Sequence, residues 1–178
     1  MHNFKEIRSK STFITEIKNL YEYSFPADER RDFNLVMDLL EQNPDFGIRV
    51  CIASENSELQ AFVSHWNFGD FHYIEHLAVA TAMRGKGIGH SVMEDFIAHV
   101  GSRIVLEVEP PVDVLTRKRI SFYESLGFKL NADFKYIQPP YAKHLNAIEL
   151  RLMTRGDFSK EEIEAAANKI KSNVYPSL

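Results

Sequence analysis

The stretch AMRGKGIGHS, residues 82–91, sets Gly85, Gly87 and Gly89 on alternate positions. It lies between a strand-like run, FHYIEHLAVA, and an apolar-periodic run, VMEDFIAHV. Glycine lets the backbone take φ > 0 and lets a ligand approach where a Cβ would otherwise stand. The first amides of a helix lack intrahelical partners and carry the positive end of the helix dipole. A glycine-rich passage from strand into helix is therefore suited to cradling a phosphate. Arg84 and Lys86 add mobile positive charge. The plain alternative is a tight turn with structural duties only.

The rest of the chain fits around this junction. Phe4–Arg8 reads as a strand, and Thr12–Phe25 and Asp32–Leu40 as helices, the second with Phe33, Val36, Met37 and Leu40 on one stripe. Phe46–Ala53 and Leu59–Trp66 read as an antiparallel hairpin, followed by a longer strand, Phe71–Val79. Ile88, Val92, Met93, Phe96, Ile97 and Val100 form the stripe of the next helix. Arg103–Val108 is a short apolar strand, and Thr116–Leu126 is a helix stopped by Gly127. Strands near Phe128–Ala132 and Ala147–Met153 follow, with IQPPY between them as a loop. Ser159 opens a capping box for a last helix bearing Ile163, Ala167, Ile170 and Val174. A three-strand meander feeding one crossover implies a mixed α/β sheet with helices on both faces.

The 178 residues suit a single domain, 1–178, and 44% hydrophobic residues supply its core. A net charge of -4, without a basic stripe, argues against a nucleic-acid partner. The single cysteine, Cys51, excludes an intramolecular disulfide and reads as a buried thiol. Seven histidines show no metal-ligand spacing, so no metal is expected. No secretory h-region and no apolar run of roughly 18 residues occurs. The expected setting is cytoplasmic, with no membrane partner.

Three phosphate-binding patterns compete for the glycine stretch. A P-loop needs GxxxxGK[ST], which is absent. A dinucleotide fingerprint needs GxGxxG, and here the third glycine comes one place early. The pattern [RQ]xxGx[GA] is met by Arg84, Gly87 and Gly89. Residues 71–100 thereby resemble the coenzyme A pyrophosphate signature of the GNAT family of N-acetyltransferases. ISFYESLGFK, residues 120–129, resembles the family's other acetyl-CoA motif. The likeness is strongest over residues 71–130 and looser over most of the chain.

That resemblance implies the GNAT fold: a mixed, mostly antiparallel central sheet with helices on both faces and a splayed parallel strand pair, here Phe71–Val79 and Arg103–Val108. It implies acetyl-CoA as co-substrate, held by Arg84, Gly85, Lys86, Gly87, Ile88, Gly89 and His90. Backbone groups of Leu77, Ala78 and Val79 would pair with pantetheine, and Thr116, Phe122 and Tyr123 would complete the contacts. The Val79 amide would polarise the thioester carbonyl, and Tyr123 would protonate the departing thiolate. A phenol of pKa about 10 can return a proton to a thiol of pKa about 8.5 at little cost. The alternative for Tyr123 is a core aromatic beside Phe122.

Strand alternation puts Tyr73, Glu75, Leu77 and Val79 on one face, and His72, Ile74, His76 and Ala78 on the other. Glu75 falls where several family members keep a base or a water-holding residue. An alkyl amine of pKa about 10 is almost wholly protonated at neutral pH and must lose a proton before attack. Glu75 is the candidate acceptor of that proton, directly or through water. Its structural alternative is a salt bridge to an arginine of DERRD. His72 and His76 are weaker candidates because they should face away.

Thr116 and Arg119 stand where the family often has Asn and Ala. Thr116 still suits an N-cap. Arg117, Lys118 and Arg119 would then sit in a first helical turn, against the dipole, unless an anion or solvent relieves them. The family's acceptor pocket would map to SFPADERRD and YIQPPYAKHLN. Tyr136, Gln138, Tyr141 and His144 are candidate lining residues, and Glu29, Arg30 and Arg31 candidate selectors of charge. Each serves equally as ordinary surface.

The expected function is acetyl transfer from acetyl-CoA to a primary amine by direct attack in a ternary complex. The acidic charge and lack of appended domains favour a small-molecule acceptor. A protein N-terminal or lysine acetyltransferase, or a non-catalytic CoA-binding sensor, are the alternatives. The protein is expected as a monomer or homodimer.

Overall fold

Apolar runs separated by polar turns draw the first half of the chain into an antiparallel meander. The computed structural model describes residues 2–175, which fall into two units: residues up to Pro26 with Asp32–Gly101, and Ala27–Arg31 with Ser102 onward. The first unit holds β1 (His2–Ile7), α1 (Ile14–Ser24), α2 (Phe33–Gln42), β2 (Phe46–Ala53), β3 (Leu59–Asn67), β4 (His72–Val79) and α3 (Ile88–Val100). Its strands run in the order β1-β2-β3-β4, every pair antiparallel. Phe4 lies opposite Cys51, Val50 opposite Phe62, and Val63 opposite Leu77.

Both faces of this sheet carry helices. Phe62 and His65 of β3 differ in parity and so point to opposite faces. Tyr21 of α1 packs on Phe62, with ring centroids 6.3 Å apart, and Phe96 of α3 packs on His65 at 4.9 Å. Asp32 caps α2 by accepting from the Asn34 N–H at 2.8 Å, and Phe33 then packs on Tyr21. Val50, Cys51, Ala61 and Val63 are fully buried at the centre of the sheet.

A partly buried polar cluster lies against the last turns of α3. His65 Nε2 meets Glu6 Oε1 at 3.0 Å, and His72 lies against Phe96. Burial first, then His65 and His99, push the His72 pKa below its ordinary 6.5, while Glu6 pulls the other way. Glu6 itself is held below its ordinary value: burial opposes this, but the His65 bond and the charges of His65, Arg49 and His99 outweigh it. The folded chain thus resists a proton that unfolded His72 accepts. Stability should be flat above about pH 6.5 and fall as the pH drops below it. Thermal unfolding from about pH 8 to about pH 5 checks this, and His72→Gln should flatten the slope.

The second unit holds β5 (Ile104–Val108), α4 (Val114–Ser125), β6 (Phe128–Leu130), β7 (Tyr136–Gln138), β8 (Ile148–Arg155) and α5 (Lys160–Val174). β8 is its spine. It pairs antiparallel with β5 along one edge and with β6 and β7 in succession, setting Leu106 opposite Met153 and Tyr136 opposite Leu150. The capping box expected at Ser159 is present: its side chain accepts from the Glu162 N–H, and Glu162 accepts from the Ser159 N–H at 2.7 Å. β7 departs from the loop expected at IQPPY. Tyr136 and Gln138 are buried while Ile137 is exposed, and the two prolines stop the strand after three residues.

Among the described residues no helix is long and apolar enough to cross a membrane.

Candidate active site

The end of β4 and the glycine loop belong to the first unit. The Ala80 N–H donates to the Gln60 carbonyl at 2.8 Å, which makes residues 60 and 80 a hydrogen-bonded pair of the antiparallel ladder. Alternation then makes Ala61–Val79 and Val63–Leu77 the non-bonded pairs. The N–H and C=O of Leu77 and Val79 consequently point away from β3, whereas those of Ala78 are used within the ladder. Ala78 is buried, and Leu77 and Val79 are half-buried.

A short 3-10 turn, Thr81–Met83, leads into the glycines. Gly85 has φ +73° and Gly87 φ +80°, both in the left-handed region. A Cβ at either would meet nothing within 4 Å, so backbone conformation rather than crowding requires glycine there. Gly87 is the N-cap of α3 and supplies no side chain to its first-turn amides. Arg84, Lys86 and Gly87 are exposed, Gly89 and His90 half-buried, and Ile88 is inserted into the core. Arg84 Nε donates to the Val79 carbonyl at 3.1 Å, and its guanidinium lies 6.0 Å from the Tyr23 ring. His90 pairs with Glu94 one turn along. The strand, the loop and the cap come together as one open cradle of backbone donors beside cationic side chains, suited to a pyrophosphate.

Glu75 sits on a β-bulge. Ser64 lies opposite His76 but His65 lies opposite Ile74, leaving Glu75 as the extra residue of β4. The bulge corrects the simple alternation expected along this strand. Trp66 Nε1 donates to Glu75 Oε2 at 2.7 Å, and Ser64 Oγ bonds His76 Nδ1 at 3.2 Å. Ser64 and Trp66 share a face of β3, so Glu75 and His76 share a face of β4. His76 therefore does not face away from Glu75: it lies on the α1 side, against Tyr21 and Phe25, at 4.9 and 4.5 Å. His72 lies on the opposite side, against Phe96. The Trp66 partner was not anticipated from sequence. Its signal was present, since an indole N–H in a strand otherwise buried needs an acceptor.

The aromatic motif and its helix belong to the second unit. Tyr123 is 8% exposed, between Phe122 and Phe128, whose rings are 5.0 and 5.6 Å away. Burial pushes its phenol up to about 12, partly offset by the Arg119 charge. The phenol is thus protonated at any working pH. Thr116 does not cap the helix. Asp113 is the N-cap, accepting from the Thr116 N–H at 2.8 Å, while the Asp113 N–H donates to the Thr116 hydroxyl at 3.0 Å. A carboxylate serves the positive helix end better than a hydroxyl, and the Thr116 side chain is buried in holding it. The helix starts earlier, so Arg117, Lys118 and Arg119 stand three places deeper than expected. Arg119 pairs with Glu109, and Arg117 donates to the Pro111 carbonyl.

The two acceptor-side loops meet within this same unit. Gln138 Nε2 donates to the Asp28 carbonyl, and Asn146 donates to the Asp28 carboxylate from backbone and side chain, both at 3.0 Å. The Arg31 guanidinium lies over Tyr141 and donates to the Val174 carbonyl at 3.1 Å. Tyr136, Gln138 and Tyr141 are buried, so they brace the loop; His144 is exposed. Burial raises the Glu29 carboxyl despite the nearby Arg119. Cys51 is a buried free thiol in β2, as expected. Among the described residues no group of three or more His, Cys, Asp or Glu is placed to hold a metal ion.

Comparison with known proteins agrees with this geometry. The Acetyltransferase (GNAT) domain family matches residues 47–130, from β2 through β6. A Bacteroides thetaiotaomicron protein assigned to the GNAT family as an acetyltransferase superposes with a TM-score of 0.90 at 29% identity, over 99% of both chains. The ribosomal-protein-S18-alanine N-acetyltransferase of Escherichia coli shares the fold at a TM-score of 0.65 and 16% identity, over 90% of this chain and 97% of that one. Arabidopsis thaliana NAA60, solved with acetyl-CoA, shares it at 0.64 and 14%, over 86% and 97%. No curated protein matches by sequence. The family match spans the bulged strand, the left-handed glycine cap and the aromatic helix alike, and the likeness to the Bacteroides protein runs the length of the chain, so the chain has the GNAT fold and carries, over residues 47–130, a match to the GNAT acetyltransferase domain.

Proposed function

We propose that the protein uses acetyl-CoA to acetylate the primary amine of a small molecule, with the whole chain working as one domain. The observation that carries this reading is the left-handed Gly87 cap of α3, whose first-turn amides stand open beside Arg84 and Lys86. Residues 84–90 would hold the pyrophosphate, and the outward backbone of Leu77 and Val79 would hold the pantetheine arm. Bound acetyl-CoA supplies an activated acyl group with a good leaving group.

The chain's own groups do the rest. Glu75 takes the proton from the acceptor amine, directly or through water. The Val79 N–H donates to the acyl oxygen as negative charge gathers there. Tyr123 returns a proton to the departing sulfur, and its burial keeps that proton available. Direct attack needs no covalent enzyme intermediate, and the buried Cys51 takes no part.

Calorimetric titration of acetyl-CoA and of dephospho-CoA into the purified protein tests the reading. Micromolar binding of acetyl-CoA is expected, with weaker binding of dephospho-CoA if Arg117 or Lys118 reads the ribose phosphate. An amine screen for acceptor-dependent CoA release then separates an enzyme from a CoA-binding sensor. Absence of binding by both ligands would overturn the reading.

A further inference from the structure

We infer that Trp66 is a positioning residue for Glu75, fixing the aim of its carboxylate from the β4 bulge. This rests on the reading of Glu75 as the proton acceptor. A bulge re-aims one side chain out of the regular alternation. Glu75 has three rotatable side-chain bonds and is half-buried. Trp66 supplies a fixed point. It is 2% exposed, and its ring is set by Phe46, edge-on at 5.1 Å, and by Phe68, stacked at 6.1 Å with planes 13° apart. An indole wedged in this way cannot swing. Its one N–H, 2.7 Å from Glu75 Oε2, fixes the direction of the carboxylate.

The donor also acts on charge. An N–H donor stabilises a carboxylate more than the neutral acid. Loss of the indole donor should therefore favour the neutral form of Glu75. Phenylalanine at position 66 keeps one aromatic ring there and deletes the donor, leaving a small cavity where the second ring lay, so the pH profile and the indole signal rather than stability carry the test.

Trp66 is the only tryptophan of the chain, so its indole N–H gives one unambiguous NMR resonance. That resonance should titrate with pH in the native protein and lose the titration in Glu75→Gln. A pH-insensitive signal, unchanged by Glu75→Gln, would overturn the inference. In steady-state kinetics with acetyl-CoA and an amine from the screen, Trp66→Phe should lower kcat by about tenfold, as expected for a lost hydrogen bond to a charged group. The acidic limb of its kcat/KM profile should move to higher pH, with KM for acetyl-CoA unchanged. Trp66→Phe with Glu75→Gln should be no slower than Glu75→Gln alone. A slower Trp66→Phe whose pH profile is unmoved would make Trp66 structural only and leave the function intact. Full activity in Glu75→Gln would instead remove the base itself, and with it any catalytic role for Trp66.

Discussion

Gly87→Glu is expected to abolish acetyl-CoA binding in a chain that still folds. Two effects combine at this position. Gly87 has φ +80°, and an L side chain in the left-handed region costs about 1–2 kcal/mol. Nothing lies within 4 Å of the new Cβ, so the glutamate would not collide with the protein. It would extend into the space in front of the α3 amides. A carboxylate about 4 Å from one phosphate charge, at a surface dielectric, costs about 4 kcal/mol, or about a thousandfold in affinity. Calorimetry should show no heat with acetyl-CoA, and the melting temperature should fall by only a few degrees. Wild-type affinity in this variant would remove the glycine loop from the cofactor site. Gly87→Ala carries the backbone strain without the charge and should fall between the two.

Tyr123→Phe should leave acetyl-CoA affinity near wild type and reduce kcat by about a hundredfold, the scale of one lost general acid. The phenyl ring keeps the packing against Phe122 and Phe128, so folding should be nearly unchanged. With the phenol pushed up to about 12, no loss of activity from Tyr123 ionisation is expected below about pH 11. The kcat profile of the native enzyme should therefore show no basic limb from this residue. Native turnover in Tyr123→Phe would reassign the proton to water or another donor.

Features governed by local chemistry were legible in the sequence. Apolar runs between polar breaks placed β2, β3 and β4, and the 3.6-residue stripe placed α3 and α5. The glycine spacing pointed to the start of α3, where Gly85 and Gly87 take left-handed backbone in front of the helix. What escaped the sequence depends on partners far along the chain. The β4 bulge exists because β3 runs one residue short against β4, and no pattern within HYIEHLAV reports that. It reversed the expected placing of His76 and hid the Trp66 clamp on Glu75. The start of α4 is ambiguous in the sequence for a different reason. Asp113 and Thr116 both suit a cap, and the choice fell to the stronger acceptor, with Thr116 turned into its reciprocal partner. β7 is hidden in the sequence because Pro139 and Pro140 dominate that segment, although buried Tyr136 and Gln138 flank exposed Ile137 in strand fashion.

The lone thiol in β2 has a practical consequence. Cys51 is 0% exposed, and burial, helped by the Asp95 charge, lifts it to about 11. Almost none of it is thiolate at neutral pH, and reagents cannot reach it. Colorimetric thiol reagents should therefore read liberated CoA over a silent protein background. A single cysteine introduced on the surface would be labelled alone, so distance and dye measurements on the glycine loop can be made without first removing the native residue.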